Sequence, residues 1–201
     1  MKDIFSWTNS KLKLKETLKY GNGIFALENI NKGNKIWVLS GEKMDVTEWA
    51  NRVKYGKEAM NDSLQIGRRT YLDMDRISNT FNHSCSPNAG VRKTSELFAL
   101  RNIEKGEEIT YDYSTVIAPT IWEMRCKCGS NICRKKISHI LTIPKKTLTM
   151  YVKMGALQDY MKILLKSKKY DKNHFKLPRY EIDALKKLGL INKNNIKKYV
   201  F

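Results

Sequence analysis

Apolar and polar positions alternate along the first half of the chain. Leu12 and Leu14 stand between Lys11, Lys13 and Lys15, a period of two that predicts a short half-buried strand over 11–15. Tyr20, Gly21, Asn22 and Gly23 then predict a tight turn, because Gly and Asn tolerate positive φ. Residues 24–27 read as a buried strand, 31–34 as a turn and 35–39 as the next strand, closed by Ser40 and Gly41. This opening is the signature of a β-meander. The period changes over 45–59, where Asp45 and Thr47 precede a polar run containing Trp49 and Val53, which fits one short helix. Strands return at 63–67 and 70–73, and a hairpin is predicted from 89–92 and 97–100 across 93–96. A charged turn over 103–108 leads into 109–113, where β-branched and aromatic residues mark a strand.

Beyond Pro144 the texture becomes helical. Leu148, Tyr151, Met154, Leu157, Met161, Leu164 and Leu165 recur mostly every three or four residues, predicting one helix of about five turns that Gly155 weakens slightly. This stripe suits a buttress buried against the β core. Residues 178–188 predict a second short helix, stopped by Gly189. Ten positions fit neither period. Residues 79–88 gather three asparagines, His83, Cys85 and Pro87, a concentration of polar and metal-capable groups that needs partners.

The 201 residues, 41% of them apolar, suffice for one substantial core or a core with a small appendage. No run of about 18 apolar residues predicts a membrane span. Residues 1–7 lack the apolar stretch of a secretory signal, so an intracellular, reducing location is expected. There, four cysteines point to metal or catalysis rather than disulfides. The net charge is +18, and +11 of it falls in residues 144–201, where fifteen Lys and Arg face four Asp and Glu. Such a surface attracts nucleic acid or acidic proteins. It equally suits a solvated face in a lysine-rich chain, and the tyrosines among these lysines follow no base-stacking motif.

Cys126, Cys128 and Cys133 form a C-x-C-x4-C knuckle. Zinc takes four ligands in a tetrahedron, and the one other cysteine is Cys85. Four reduced, buried cysteines that simply pack are the plainer reading. Against it, lysines and Arg134 flank a segment with little core of its own, and such segments usually need a metal to fold. A zinc on Cys85, Cys126, Cys128 and Cys133 would pin the knuckle against residues 79–88.

Taken together, these residues resemble the SET-domain protein-lysine methyltransferases. The family's early glycine turn is matched by Gly21, Asn22 and Gly23, its N-H-S-C-x-P-N segment by Asn82 through Asn88, and its G-E-E-[IL]-T-[FY]-D-Y strand by Gly106 through Tyr113. The post-SET cysteine module is matched by Trp122 through Arg134. The resemblance implies a mainly β, β-clip fold of small, mostly antiparallel sheets with a pseudoknot. It divides the chain into a SET domain (10–114), a post-SET zinc-binding module (122–138) and a basic helical C-terminal extension (144–201). It also implies S-adenosylmethionine-dependent methylation of a lysine on a histone or other basic protein. Gly21, Asn22, Gly23, Asn82, His83 and Tyr113 would bind that cofactor, Asn82 and His83 through side-chain amide and backbone groups. Tyr113 takes the place of the catalytic tyrosine. Tyr111, where the family has Phe or Tyr, would narrow the lysine channel and favour mono- and dimethyl products.

On residue type alone His83 also fits a buried structural histidine, and Tyr111 a core aromatic. Asn79 replaces an arginine common in histone-directed members, and no cysteine precedes Cys85 to build the family's leading cysteine module. The lysine-rich extension offers a surface to DNA or nucleosomes. A catalytically silent, zinc-stabilised SET-fold module for binding chromatin or nucleic acid is the competing reading, and methylation of a non-histone protein a third. Oligomeric state has no signature in the sequence.

Overall fold

The computed structural model describes residues 10–17, 21–57, 62–119, 122–167, 179–189 and 191–192. In chain order its strands are β1 (Leu12–Thr17), β2 (Gly21–Ala26), β3 (Lys35–Val38), β4 (Gly41–Asp45), β5 (Ser63–Gln65) and β6 (Thr70–Met74). They continue with β7 (Asn82–His83), β8 (Ala89–Arg92), β9 (Glu96–Ala99), β10 (Thr110–Tyr111), β11 (Met124–Arg125) and β12 (Lys136–Ile137). The helices are α1 (Val46–Lys54), α2 (Lys145–Lys153), α3 (Asp159–Lys166) and α4 (Arg179–Lys187). The strands form small sheets ordered β1-β2, β3-β9-β8, β4-β6-β5, β11-β12 and β10-β7. Among the described strands, all pairings are antiparallel except β10 with β7. The mainly β architecture inferred from the alternation is the one observed, but not the meander, because β3 pairs with β9 and β4 with β6 rather than with their neighbours in sequence. No described helix is long and apolar enough to cross a membrane.

Period-two burial explains the first hairpin. Leu12 and Leu14 point into the core while Lys11, Lys13 and Lys15 stay outside. They meet Ile24, Leu39, Phe81, Val91, Leu97 and Ile109 in the central cluster. Gly21 and Gly23 are residues of β2 rather than of the predicted turn, and Tyr20 lies outside the described residues. Glycine is required at Gly21 by its φ of +75°.

Two elements are shorter than their patterns predicted, each for a local reason. Asp45 caps α1 by accepting from the Thr47 and Glu48 N–H groups at 2.7 and 2.9 Å. The helix stops at Tyr55, where Gly56 takes a φ of +69°, and the predicted end at Ala59 falls outside the described residues. The expected strand 109–113 keeps only Thr110–Tyr111, because the Asp112 side chain accepts from Ser114 N at 3.1 Å and starts a 3-10 turn, Tyr113–Thr115.

The apolar stripe of the extension is divided between α2 and α3 instead of one helix. Gly155, at a φ of +71°, ends α2 and turns the chain toward the β8–β9 hairpin. Beyond the break Asp159 N bonds Lys93 O at 2.8 Å and Gln158 Nε2 bonds Thr94 O at 2.6 Å. The expected buttress is observed: Tyr151, Leu157, Met161 and Leu164 bury against Phe98, Leu100 and Ile140. Helix α4 ends before Gly189, as its pattern predicted; Pro178, its expected start, lies outside the described residues. Ala184 of α4 packs on Met44, Val46, Trp49, Ala50 and Tyr71.

Docking of the α2–α3 junction depends on Gly90. A Cβ there would lie 2.8 Å from the Ala156 Cβ and 3.0 Å from Leu100 Cδ2. Gly90→Ala should therefore destabilise the fold by about 1–3 kcal/mol, the usual cost of overpacking. Adding Ala156→Gly should return part of the loss in denaturant midpoint. Full additivity of the two substitutions would refute the contact.

Candidate active site and metal centre

The parallel pair of β7 and β10 brings the polar segment 79–88 against the end of the G-E-E-I-T-Y-D-Y stretch, with Thr110 opposite Asn82 and Tyr111 opposite His83. Two residues per strand give little ladder, and side chains supply the remaining rungs. Asn88 accepts from Thr110 N at 2.9 Å and donates to Glu108 O at 2.8 Å. Asn82 Nδ2 donates to Asn22 O at 2.9 Å and to Glu108 Oε1 at 2.7 Å, tying β2 to the same point. The Gly23 requirement is set here. An added Cβ would lie 2.5 Å from Glu108 Oε1 and 3.0 Å from Asn82 Nδ2, so protein groups fill that space. At Gly21 the corresponding space is open. Sequence reasoning gave Glu108 only a turn role; its carboxylate sits between Gly23 and Asn82, which no local pattern signals.

Tyr113 stands at the head of the 3-10 turn. Its hydroxyl donates to Phe81 O at 2.8 Å, which commits the phenolic proton and leaves the oxygen as an acceptor. Its N–H donates to His83 Nδ1 at 3.2 Å. The neutral imidazole therefore carries its proton on Nε2, which lies 3.4 Å from Cys85 Sγ. His83 is 6% exposed, and burial lowers its pKa to about 4 against the opposing pull of Asp112. Both ring nitrogens are engaged, so the structural reading of this side chain is the one observed, and its backbone is what a ligand could meet. Burial raises the Tyr113 phenol well above its usual value, with Glu108 and Asp62 adding to the effect. Burial does the same to Tyr111.

The rings of Tyr111 and Tyr113, 4.9 Å apart, line a cavity of about 190 Å³. Trp49 and Tyr71, stacked at 5.0 Å and 7°, form another wall. Asp62, Asn79 and Leu185 also line it. Asn79, the position that departs from the resemblance, thus faces the cavity. Leu185 belongs to α4, and nothing in the extension's sequence signals that role.

The four cysteines converge. Their sulfurs all lie within 4.8 Å of one another, with Cys85 and Cys126 3.8 Å apart. A tetrahedron of Zn–S bonds of about 2.3 Å sets its sulfurs about 3.8 Å apart. Each sulfur also faces a backbone N–H: Cys128 N approaches Cys126 Sγ at 3.5 Å, Cys85 N Cys128 Sγ at 3.5 Å, Arg134 N Cys85 Sγ at 3.4 Å, and Lys135 N Cys133 Sγ at 3.4 Å. Donors aimed at every sulfur favour thiolates, the form that binds metal. Against burial, hydrogen bonds from Ser130 and from the Cys85 N–H hold the Cys128 thiol down to about 6. Burial pushes Cys85 and Cys126 up. The donor set fits zinc, with no fourth position left for water or substrate.

Comparisons with known proteins bear on this arrangement. The SET domain family profile matches residues 21–114. The chain is 36% identical over 140 residues to a putative histone-lysine N-methyltransferase, ASHH4, of Arabidopsis thaliana, covering 63% of this chain and 39% of that protein. It is 34% identical over 133 residues to a variant-silencing SET domain-containing protein of Plasmodium falciparum, covering 58% of this chain and 5% of that one. The chain thus spans well under two thirds of either relative. The methyltransferase domain of human histone-lysine N-methyltransferase SETMAR superposes with a TM-score of 0.52 at 26% identity, covering 64% of this chain and 58% of that one.

Neutral burial of His83 sets a direction for acid stability. Its folded pKa of about 4 is below its unfolded value of about 6.5, so the unfolded chain takes up the proton first. This stabilisation is complete above about pH 6.5 and lost as pH falls toward 4; His139, lowered to about 4 by burial, acts in the same sense. The melting temperature should fall between pH 6.5 and 5, above the range where ordinary carboxylates titrate. A flat melting temperature across that window would contradict the assignment.

Proposed function

Residues 21–114 are a SET domain, and on that premise we propose that the chain is an S-adenosylmethionine-dependent protein-lysine N-methyltransferase. The observation that carries the reading is Tyr113, its proton committed to Phe81 O and its ring in the wall of an aromatic cavity. When bound, S-adenosylmethionine supplies an electrophilic methyl group. The β2 edge at Gly21–Gly23, the Asn82 side chain and the His83 backbone are the groups to hold it, since they meet beside the β7–β10 pair. Tyr113 contributes an oxygen that accepts C–H···O contacts from a methyl group and so orients it.

The cavity suits a lysine arm, because aromatic faces attract an ammonium and exclude water around the reacting amine. Tyr113 cannot be the base that strips the lysine, because burial pushes its phenol away from neutrality. The proton leaves instead through water. Tyr111, buried beside Tyr113, leaves little room around the amine and favours mono- and dimethyl products. Cys85, Cys126, Cys128 and Cys133 hold a structural zinc, which fits four sulfurs and no open position.

A histone is the substrate class that the relatives' names suggest, and another basic protein would offer the same lysine chemistry. A chain of net charge +18 repels a basic tail, so DNA or an acidic patch on the substrate would offset that repulsion. The intact Tyr113 geometry favours turnover over the silent binding module.

Incubation with radiolabelled cofactor and a mixture of histones should transfer label, and Tyr113→Phe should reduce the rate on the order of a hundredfold. Absence of transfer to histones and to whole-cell protein alike would refute the reading. Tyr111→Phe should move the mass-spectrometric product pattern toward trimethyl-lysine; trimethyl-lysine as the main product of the unaltered chain would refute the role of Tyr111. Metal analysis should find one zinc per chain, and Cys126→Ser should abolish its retention.

A further inference from the structure

Between the cysteine knuckle and Tyr113 the hydrogen bonds close into a ring. Arg134 follows directly on Cys133, and both its backbone N–H and its Nε lie 3.4 Å from Cys85 Sγ. The far end of the same guanidinium, Nη2, reaches Asp112 Oδ1 at 2.5 Å. Asp112 immediately precedes Tyr113, is 2% exposed, and accepts from Ser114 N at 3.1 Å, the bond that starts the turn. On the opposite side His83 completes the circuit, with Nε2 at 3.4 Å from Cys85 Sγ and Nδ1 accepting from Tyr113 N at 3.2 Å. A second clamp comes from the extension. The Tyr151 hydroxyl of α2 donates to Asp112 Oδ2 at 3.2 Å.

A buried carboxylate is tolerated when every lone pair has a donor, and it takes its orientation from those donors. Here the principal donor also touches the metal-site sulfur. A guanidinium is a rigid fork, so Arg134 cannot move toward one end without leaving the other. Hydrogen bonds to a ligating sulfur or imidazole commonly change metal affinity by 10- to 100-fold.

We infer that Arg134 is a positioning residue that couples the zinc knuckle to the reaction: its Nε and N–H support the Cys85 thiolate, and its Nη2, through Asp112, fixes the turn that carries Tyr113. Tyr151 holds the same carboxylate without touching a sulfur, so the C-terminal extension reaches the active site by this route. The kinetic half of the inference rests on the methyltransferase reading; the metal half does not.

The test uses the full zinc-loaded chain. Zinc transfer to a chromophoric chelator should be at least tenfold faster for Arg134→Gln. It should also be faster for Arg134→Lys, whose single ammonium cannot span sulfur and carboxylate, and unchanged for Tyr151→Phe. At saturating zinc, Arg134→Lys and Tyr151→Phe should both lower kcat while the KM for peptide and for S-adenosylmethionine stays within about twofold of the unaltered chain. If Arg134→Gln does not fold, Arg134→Lys carries the metal measurement. Zinc release unchanged in Arg134→Lys, or a kcat fully restored by excess zinc, would overturn the coupling. Absence of methyl transfer by the unaltered chain would instead refute the function, and the release measurement would still decide the metal half.

Discussion

Two residues of parallel ladder, Asn82–His83 against Thr110–Tyr111, are the pairing on which the site depends. A ladder this short does not hold by itself. It is made stable by side chains that act as extra rungs, with Asn88 bonding both Glu108 O and Thr110 N and Asn82 reaching across to β2. The cavity, the orientation of Tyr113 and the approach of Cys85 to the knuckle all inherit their geometry from this point. The cost is specificity of sequence: amides and an imidazole are needed where an ordinary strand would accept any β-former.

Polar satisfaction, not apolar area, therefore positions the chemistry. The central cluster around Leu12, Ile24, Phe81 and Ile109 gives the fold its cohesion and meets the cavity through Leu64, Tyr111, Tyr113 and Val116. The sulfur cluster and its N–H donors form a separate small core with Trp122 and Ile137. The extension adds a third cluster behind β8 and β9. With the cluster of Trp49, Tyr71 and Ala184 there are four modest cores among the described residues, an arrangement that suits a site that must hold a narrow aromatic cavity open.

Much of this was legible in the sequence because it follows from local periodicity or from residue types with few uses. The alternation at Leu12 and Leu14 predicted β1, and the C-x-C-x4-C spacing with a lone upstream Cys85 predicted the convergence of sulfurs. The rest required tertiary information. Gly155 read as a blemish in a long helix, whereas its positive φ ends the helix so that Ala156 can meet Gly90. Tyr113 read as the last residue of a strand because an Asp112 cap competes with strand propensity only once Ser114 is placed. The His83 ring turned inward because Cys85 and Tyr113 lie on either side of it, an adjacency that sequence separation conceals. Glu108 lay inside the G-E-E-I-T-Y-D-Y stretch and Leu185 inside the last predicted helix, but neither signalled its place in the site.

The placement of Leu185 orders events during synthesis. The cavity is floored by residues from the middle of the chain and walled by one from α4. A nascent chain can assemble its β core, its knuckle and both tyrosines long before α4 leaves the ribosome. Until then the cavity stands open on the side where Leu185 will dock. Emergence of α4 from the ribosome, rather than its translation, is thus the step that lets Leu185 join the wall.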